Sequence, residues 1–247
     1  MSLSTEDFLS LAQDKDLFTI IDKIFSGERL TSEDALKLFN SNDLLTIGYL
    51  ANYVTEKKNG KYAYFVINRQ INPTNICVLD CKFCAFAQMD KNDPKAYEMT
   101  DEQILEKTQH ALENGATEVH IVGGLHPDWN FEKYLNIVSL IKRNFPNLHI
   151  KAFTAVEIDY FSKISNLSYE EVLLRLKEAG LGSLPGGGAE IFSPEVRRII
   201  APKKIGYKKY LEIHKIAHKL GLHSTTTMLY GHVESYKDRV DHMEKIR

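Results

Sequence analysis

The chain is poor in cysteine: 247 residues carry three, all within one short segment. An odd count this low excludes a disulfide framework of the kind that staples small secreted domains. Charge of one sign is also missing. Thirty-one basic and 33 acidic residues give a formal net charge of −2, so nothing points to nucleic acid or an anionic membrane as partner. No apolar run approaches the length of a membrane span. The opening Met1-Ser2-Leu3-Ser4-Thr5-Glu6-Asp7 has neither the basic nor the apolar region of a leader, which predicts a cytoplasmic protein in a reducing compartment. There is no low-complexity stretch and no repeat of fixed period. The length and an ordinary charged fraction of 26% suit one large core.

What the chain has is Cys77-Val78-Leu79-Asp80-Cys81-Lys82-Phe83-Cys84, a C-x3-C-x2-C run. Three thiolates on one loop can hold three irons of a cubane cluster and leave the fourth open to a small molecule. A structural zinc site wants four ligands, usually as two pairs, so three cysteines and one histidine is the weaker reading. Inert core cysteines would not cluster on a loop.

Residues 5 to about 58 read as helices, with Phe8, Leu9, Leu11 and Ala12, then Phe18, Ile20, Ile21, Ile24 and Phe25 at helical spacing. Tyr62–Ile67 is β-rich. Beyond the cysteines, helix and strand alternate. Helices are expected at Asp101–Asn114, Phe131–Asn144, Ser168–Ala179, Tyr207–Leu220 and from Ser235 onward. Strands are expected at Glu118–Val122, His149–Thr154, Ser183–Leu184 and His223–Tyr230. This alternation predicts an α/β fold with a parallel sheet and right-handed crossovers, a (β/α) TIM-type barrel or part of one. The expected organisation is a helical extension over 1–60 packed on a barrel of five or so units over 61–247.

Barrel enzymes place chemistry at the C-terminal ends of their strands. There the sequence sets Gly123-Gly124-Leu125-His126, then Glu157, then Gly186-Gly187-Gly188-Ala189-Glu190, then Tyr230-Gly231-His232. Glycines let a backbone approach a ligand closely. Glu157 and Glu190 are candidates for ribose hydroxyls, an ammonium group or substrate, or else for salt bridges to barrel lysines. His126 and His232 are candidate proton-transfer or carboxylate-binding groups. The Gly186–Gly188 run lacks the lysine of a phosphate-binding P-loop.

The run Ile71-Asn72-Pro73-Thr74-Asn75-Ile76-Cys77 to Phe86 resembles the radical S-adenosylmethionine (SAM) enzymes. Gly123–Pro127, Pro185–Phe192 and Thr227–Glu234 resemble the aminodeoxyfutalosine synthase branch within them, from about residue 30 to Arg247. The resemblance implies a [4Fe–4S] cluster on Cys77, Cys81 and Cys84, and SAM consumed as co-substrate. Phe83, Gly123, Gly124, Gly187 and Gly188 would lie beside the cofactors, and Glu157, Glu190, His126 and His232 in the catalytic set. The implied reaction adds the adenosyl radical to the vinyl carbon of 3-[(1-carboxyvinyl)oxy]benzoate in menaquinone biosynthesis. Cyclic dehypoxanthinyl futalosine synthase and a deazaflavin-cofactor synthase subunit are the alternatives. A reductant such as flavodoxin or ferredoxin is the expected partner. The family pattern continues about a third further than Arg247, so a partial barrel with an uncovered edge open to homodimer association is expected.

Overall fold

The computed structural model describes residues 4–247, which divide into two units. The first comprises residues 4–65 with 234–245 and 247, so the last helix groups with the N-terminal helices and the barrel unit begins at Val66. Its helices are α1 (Thr5–Leu11), α2 (Phe18–Ser26), α3 (Ser32–Asn40), α4 (Leu44–Asn59) and α11 (Tyr236–Ile246). Ser4 with Asp7, Thr31 with Asp34 and Ser235 with Asp238 form reciprocal capping boxes that fix three helix starts. Phe8, Leu17, Ile20, Ile21 and Leu50 form the core of this unit, and Phe25 stacks on Tyr53 at 4.4 Å.

The second unit spans Val66–Val233. It holds β1 (Asn68–Ile71), α5 (Asp101–Glu113), β2 (Glu118–Ile121), α6 (Phe131–Asn144), β3 (His149–Ala152), α7 (Ala155–Ser165), α8 (Tyr169–Ala179), β4 (Ser183–Leu184), α9 (Pro194–Ile200), α10 (Tyr207–Lys219) and β5 (His223–Ser224). The strands form one sheet in the order β1-β2-β3-β4-β5, every neighbouring pair parallel. This is the expected α/β architecture: five sequential units of a (β/α) barrel. Val119, Ile121, Ile150 and Ala152 are fully buried and share a core with Ile137, Val138 and Ile141 of α6.

Three local expectations change. Tyr62–Ile67 forms no strand, and Tyr62, Tyr64 and Phe65 are exposed. Pairing starts one residue later, at Asn68 against Glu118, because β propensity needs a partner strand to act on. The third strand stops at Ala152, because Thr154 caps α7 with Glu157 three residues on. The fifth is two residues long rather than running to Tyr230.

No helix among the described residues is long and apolar enough to cross a membrane.

Candidate functional site

A cavity of about 370 Å³ opens at the C-terminal ends of the strands. It is lined by Cys77, Cys81 and Cys84, by Gly123 and Gly124 after β2, by Glu157 on α7, and by Gly186–Gly188 and Glu190 after β4. Most of the sequence-derived candidates therefore share one wall of space, a volume suited to a small organic ligand.

The segment before the cysteines is anchored on both sides. Gly124 N–H donates to the Thr74 carbonyl at 2.9 Å, and Cys77 N–H to that of Gln88 at 2.9 Å. The Asn72 side-chain amide donates to the Val122 carbonyl at 2.6 Å, and that of Asn75 to the Lys95 carbonyl at 2.8 Å. Cys77 is buried, Cys81 half-buried and Cys84 exposed. Burial pushes the Cys81 thiol up from its ordinary range, and the neighbouring Cys84 and Cys77 add to this. Among the described residues no three His, Cys, Asp or Glu side chains converge on a single ion. A cubane asks for a different arrangement, each thiolate on its own iron. Three thiols of one loop on the wall of the same cavity fit that donor set.

Glycine at 124 serves the cysteine segment as much as any ligand. A Cβ there would sit 2.1 Å from the Ile76 carbonyl oxygen, so only glycine lets the two backbones approach.

Glu157 bridges two strand ends. Its Oε1 accepts from Gly123 N–H at 3.1 Å, while its Oε2 accepts from Thr154 N–H at 2.6 Å and from the Thr154 hydroxyl at 2.8 Å. Burial still dominates these bonds and pushes the carboxyl up from 4.5 to about 7. Between those two values the folded chain keeps a proton that the unfolded chain releases. The stabilising contribution is full below 4.5 and is lost as pH rises through about 7. Glu157→Gln cannot ionise, so its urea midpoint should fall less than the wild type's between about pH 5 and about pH 8. Parallel curves for the two proteins would refute the assignment.

Glu190 is buried with φ 46°, left-handed backbone that a non-glycine residue adopts at a cost of about 1 kcal/mol. Its Oε1 accepts from Lys204 Nζ at 2.6 Å and from Gly188 N–H at 3.2 Å. Lys204 lines the cavity and stands 5.0 Å over the Phe83 ring. Behind the glycine run, the buried Arg197 guanidinium donates to the carbonyls of Gly188, Ala189, Ile191 and Ile205. Sequence reasoning missed both residues. Arg197 rides on α9, whose start was signalled by Pro194 at its first position; a lysine pair at 203–204 gives no comparable signal.

The two histidines lie elsewhere. His126 is buried outside the cavity lining, with Nε2 3.1 Å from Glu98 Oε1 and Nδ1 accepting from Asp128 N–H at 3.1 Å, and its ring stacks on Trp129. His232 is exposed; its Nε2 is 3.0 Å from the Leu229 carbonyl and its Nδ1 accepts from Val233 N–H at 2.8 Å.

Comparison with known proteins bears on this site. The sequence pattern of the radical SAM superfamily matches residues 71–246. The chain is 45% identical to the aminodeoxyfutalosine synthase of Thermus thermophilus, over 95% of this chain and 63% of that one. It is 46% identical to a 5-amino-6-(D-ribitylamino)uracil–L-tyrosine 4-hydroxyphenyl transferase of Methanopyrus kandleri, over 76% of this chain and 51% of that one. The chain thus spans less than two thirds of the length of these curated relatives. In structure it is similar to methylornithine synthase (PylB), with TM-score 0.71 at 18% identity over 91% of this chain and 63% of that one, a likeness of fold alone.

Proposed function

The chain belongs to the radical SAM superfamily, and on that premise we propose that it is the larger part of an aminodeoxyfutalosine synthase. The observation that carries the proposal is the convergence of the three cysteines, the glycine segments and two acids on one cavity. The specific branch is supported by the 45% identity to the Thermus enzyme over 95% of the chain.

Cys77, Cys81 and Cys84 would hold the [4Fe–4S] cluster. When bound, the cluster supplies the electron that cleaves SAM to methionine and a 5′-deoxyadenosyl radical. The chain's own part is positional. Gly123 and Gly187 line the cavity without a side chain to fill it, and Gly188 closes the turn at φ +93°. Glu190 and Lys204 form a paired acid and base at 2.6 Å on the cavity wall. Glu157 fixes the ends of β2 and β3 relative to each other. These groups would hold the radical carbon against the alkene of 3-[(1-carboxyvinyl)oxy]benzoate, so that a C–C bond forms before solvent or reductant intervenes. An electron donor such as flavodoxin or ferredoxin completes the system.

The Methanopyrus relative motivates a second reading, transfer of an aryl group from L-tyrosine. Anaerobic reaction of the full-length protein with SAM, dithionite and each substrate separates them by mass spectrometry. A product that retains adenine, formed from the enol ether, is expected. Stoichiometric free 5′-deoxyadenosine formed only with L-tyrosine and the aminouracil would assign the second reaction instead.

A further inference from the structure

Of the residues that line the cavity, His120 and Lys151 belong to strands proper; most others follow strand ends or sit on the cysteine loop. His120 pairs with Lys151 in the β2–β3 register, and Lys151 with Ser183 in the β3–β4 register. A polar row therefore runs across the inner wall of the sheet. It lies two residues, about 7 Å, back along β2 from Val122 and hence further from the cysteine end. Strands of a parallel sheet are ordinarily apolar on both faces, and barrel interiors are ordinarily filled by branched aliphatic side chains. Here the outward positions Val119, Ile121, Ile150 and Ala152 keep that rule, while the inward ones break it.

The row is poised and incomplete. Lys151 Nζ is 2.6 Å from Glu118 Oε1, which lies below it in the sheet and does not line the cavity. One of its three N–H donors is therefore engaged from beneath, while the residue itself faces the cavity. The His120 Nε2 atom is buried with no hydrogen-bond partner among the described residues. A buried polar atom left unpaired beside a cavity is a standing cost, which a rotation of the ring toward a ligand would relieve. Burial and the Lys151 ammonium both lower the pKa of His120, which leaves a neutral ring able to donate one N–H.

We infer that His120 and Lys151 form a carboxylate subsite at the inner end of the cavity, which orients an aromatic carboxylate substrate with its reacting carbon toward the cysteine end. The inference rests on the proposed reaction class, since both substrate readings supply such a carboxylate. An ammonium and an imidazole N–H on adjacent strands can each donate to one carboxylate oxygen, a charge-assisted pair of bonds. A neutral ester keeps the shape and loses the charge.

The test is direct binding to cluster-loaded full-length protein by isothermal titration calorimetry. The probes are 3-[(1-carboxyvinyl)oxy]benzoate and L-tyrosine, each as the free acid and as the methyl ester at the ring or amino-acid carboxyl. The wild type should prefer the acid to the ester by at least about tenfold for whichever compound it binds. Lys151→Met should remove that preference, whereas Lys151→Arg should retain most of it. Because Lys151→Met strands Glu118, the double variant Glu118→Gln/Lys151→Met, which removes both charges together, carries the comparison if the single variant does not fold. Equal affinity of the wild type for acid and ester overturns the subsite, as does a folded double variant that still prefers the acid. Preference for L-tyrosine over the enol ether would overturn the reaction reading while leaving the subsite in place.

Discussion

Anaerobically reconstituted Cys81→Ala protein is expected to hold far fewer than the about four irons per chain that the wild type takes up. Cys81 is the middle thiol of the three and the half-buried one, and the other two are close enough to raise its pKa. Removing it leaves Cys77 and Cys84, and the chain has no further cysteine to substitute. Two thiolates cannot retain a cubane that already lacks a fourth protein ligand. The broad absorbance of an iron–sulfur centre near 400 nm, together with iron and sulfide determination, reads the outcome. Full loading of Cys81→Ala would reject the cluster assignment. Loading is also expected to release protons, since a thiol held protonated by burial must ionise to bind iron.

Gly124→Ala is expected to be severely damaging for a change of one methyl group. The added Cβ would meet the Ile76 carbonyl oxygen at 2.1 Å and its carbon at 2.6 Å, both backbone atoms that cannot rotate aside. Relief requires moving either the turn after β2 or the segment that delivers Cys77, and the second loses the Gly124 N–H bond to Thr74. The expected cost is about 3 kcal/mol, at the upper end for overpacking. It is measurable as a drop in the urea midpoint with m unchanged. Iron uptake should fall with it, because the displaced segment carries a ligand. Gly48→Ala, inside α4, is the control: a Cβ there meets nothing within 4 Å, and alanine is the better helix former, so stability should hold or rise by up to about 1 kcal/mol. Equal effects at the two positions would reject the argument.

Much of the site was legible in the sequence because spacing alone carries it. Three cysteines within eight residues share a loop however the rest folds, and glycines and acids after apolar runs fall at strand ends once the sheet is parallel. The elements missed had weaker or misread signals. Thr154-Ala155-Val156-Glu157 carries the hydroxyl-x-x-acid signature of a helix start, yet it follows a strand so closely that it reads as strand end. Glu118-Val119-His120-Ile121 and His149-Ile150-Lys151-Ala152 alternate polar and apolar, which usually marks a sheet with one wet face. In a parallel sheet covered by helices on its outer side, the same alternation means that the inner side is polar. His126 was drawn to the site by its place after Gly123-Gly124, but the chain has already turned away there. The Tyr134 hydroxyl accepts from His126 N–H at 3.0 Å, and the Tyr160 hydroxyl donates to its carbonyl at 2.8 Å.

The grip of Arg197 has a consequence for how this loop tolerates change. Its guanidinium meets main-chain oxygens of residues 188, 189, 191 and 205, and among the described residues no side-chain acceptor shares in it. The contour of the glycine segment is thus dictated by where its peptide oxygens point. The buried side chains at 189, 191 and 205 could therefore be exchanged, and the interior around them repacked, while one arginine keeps the path of the chain constant. Lysine could not take its place: a single ammonium with three donors cannot span four oxygens that a planar five-donor fork reaches together.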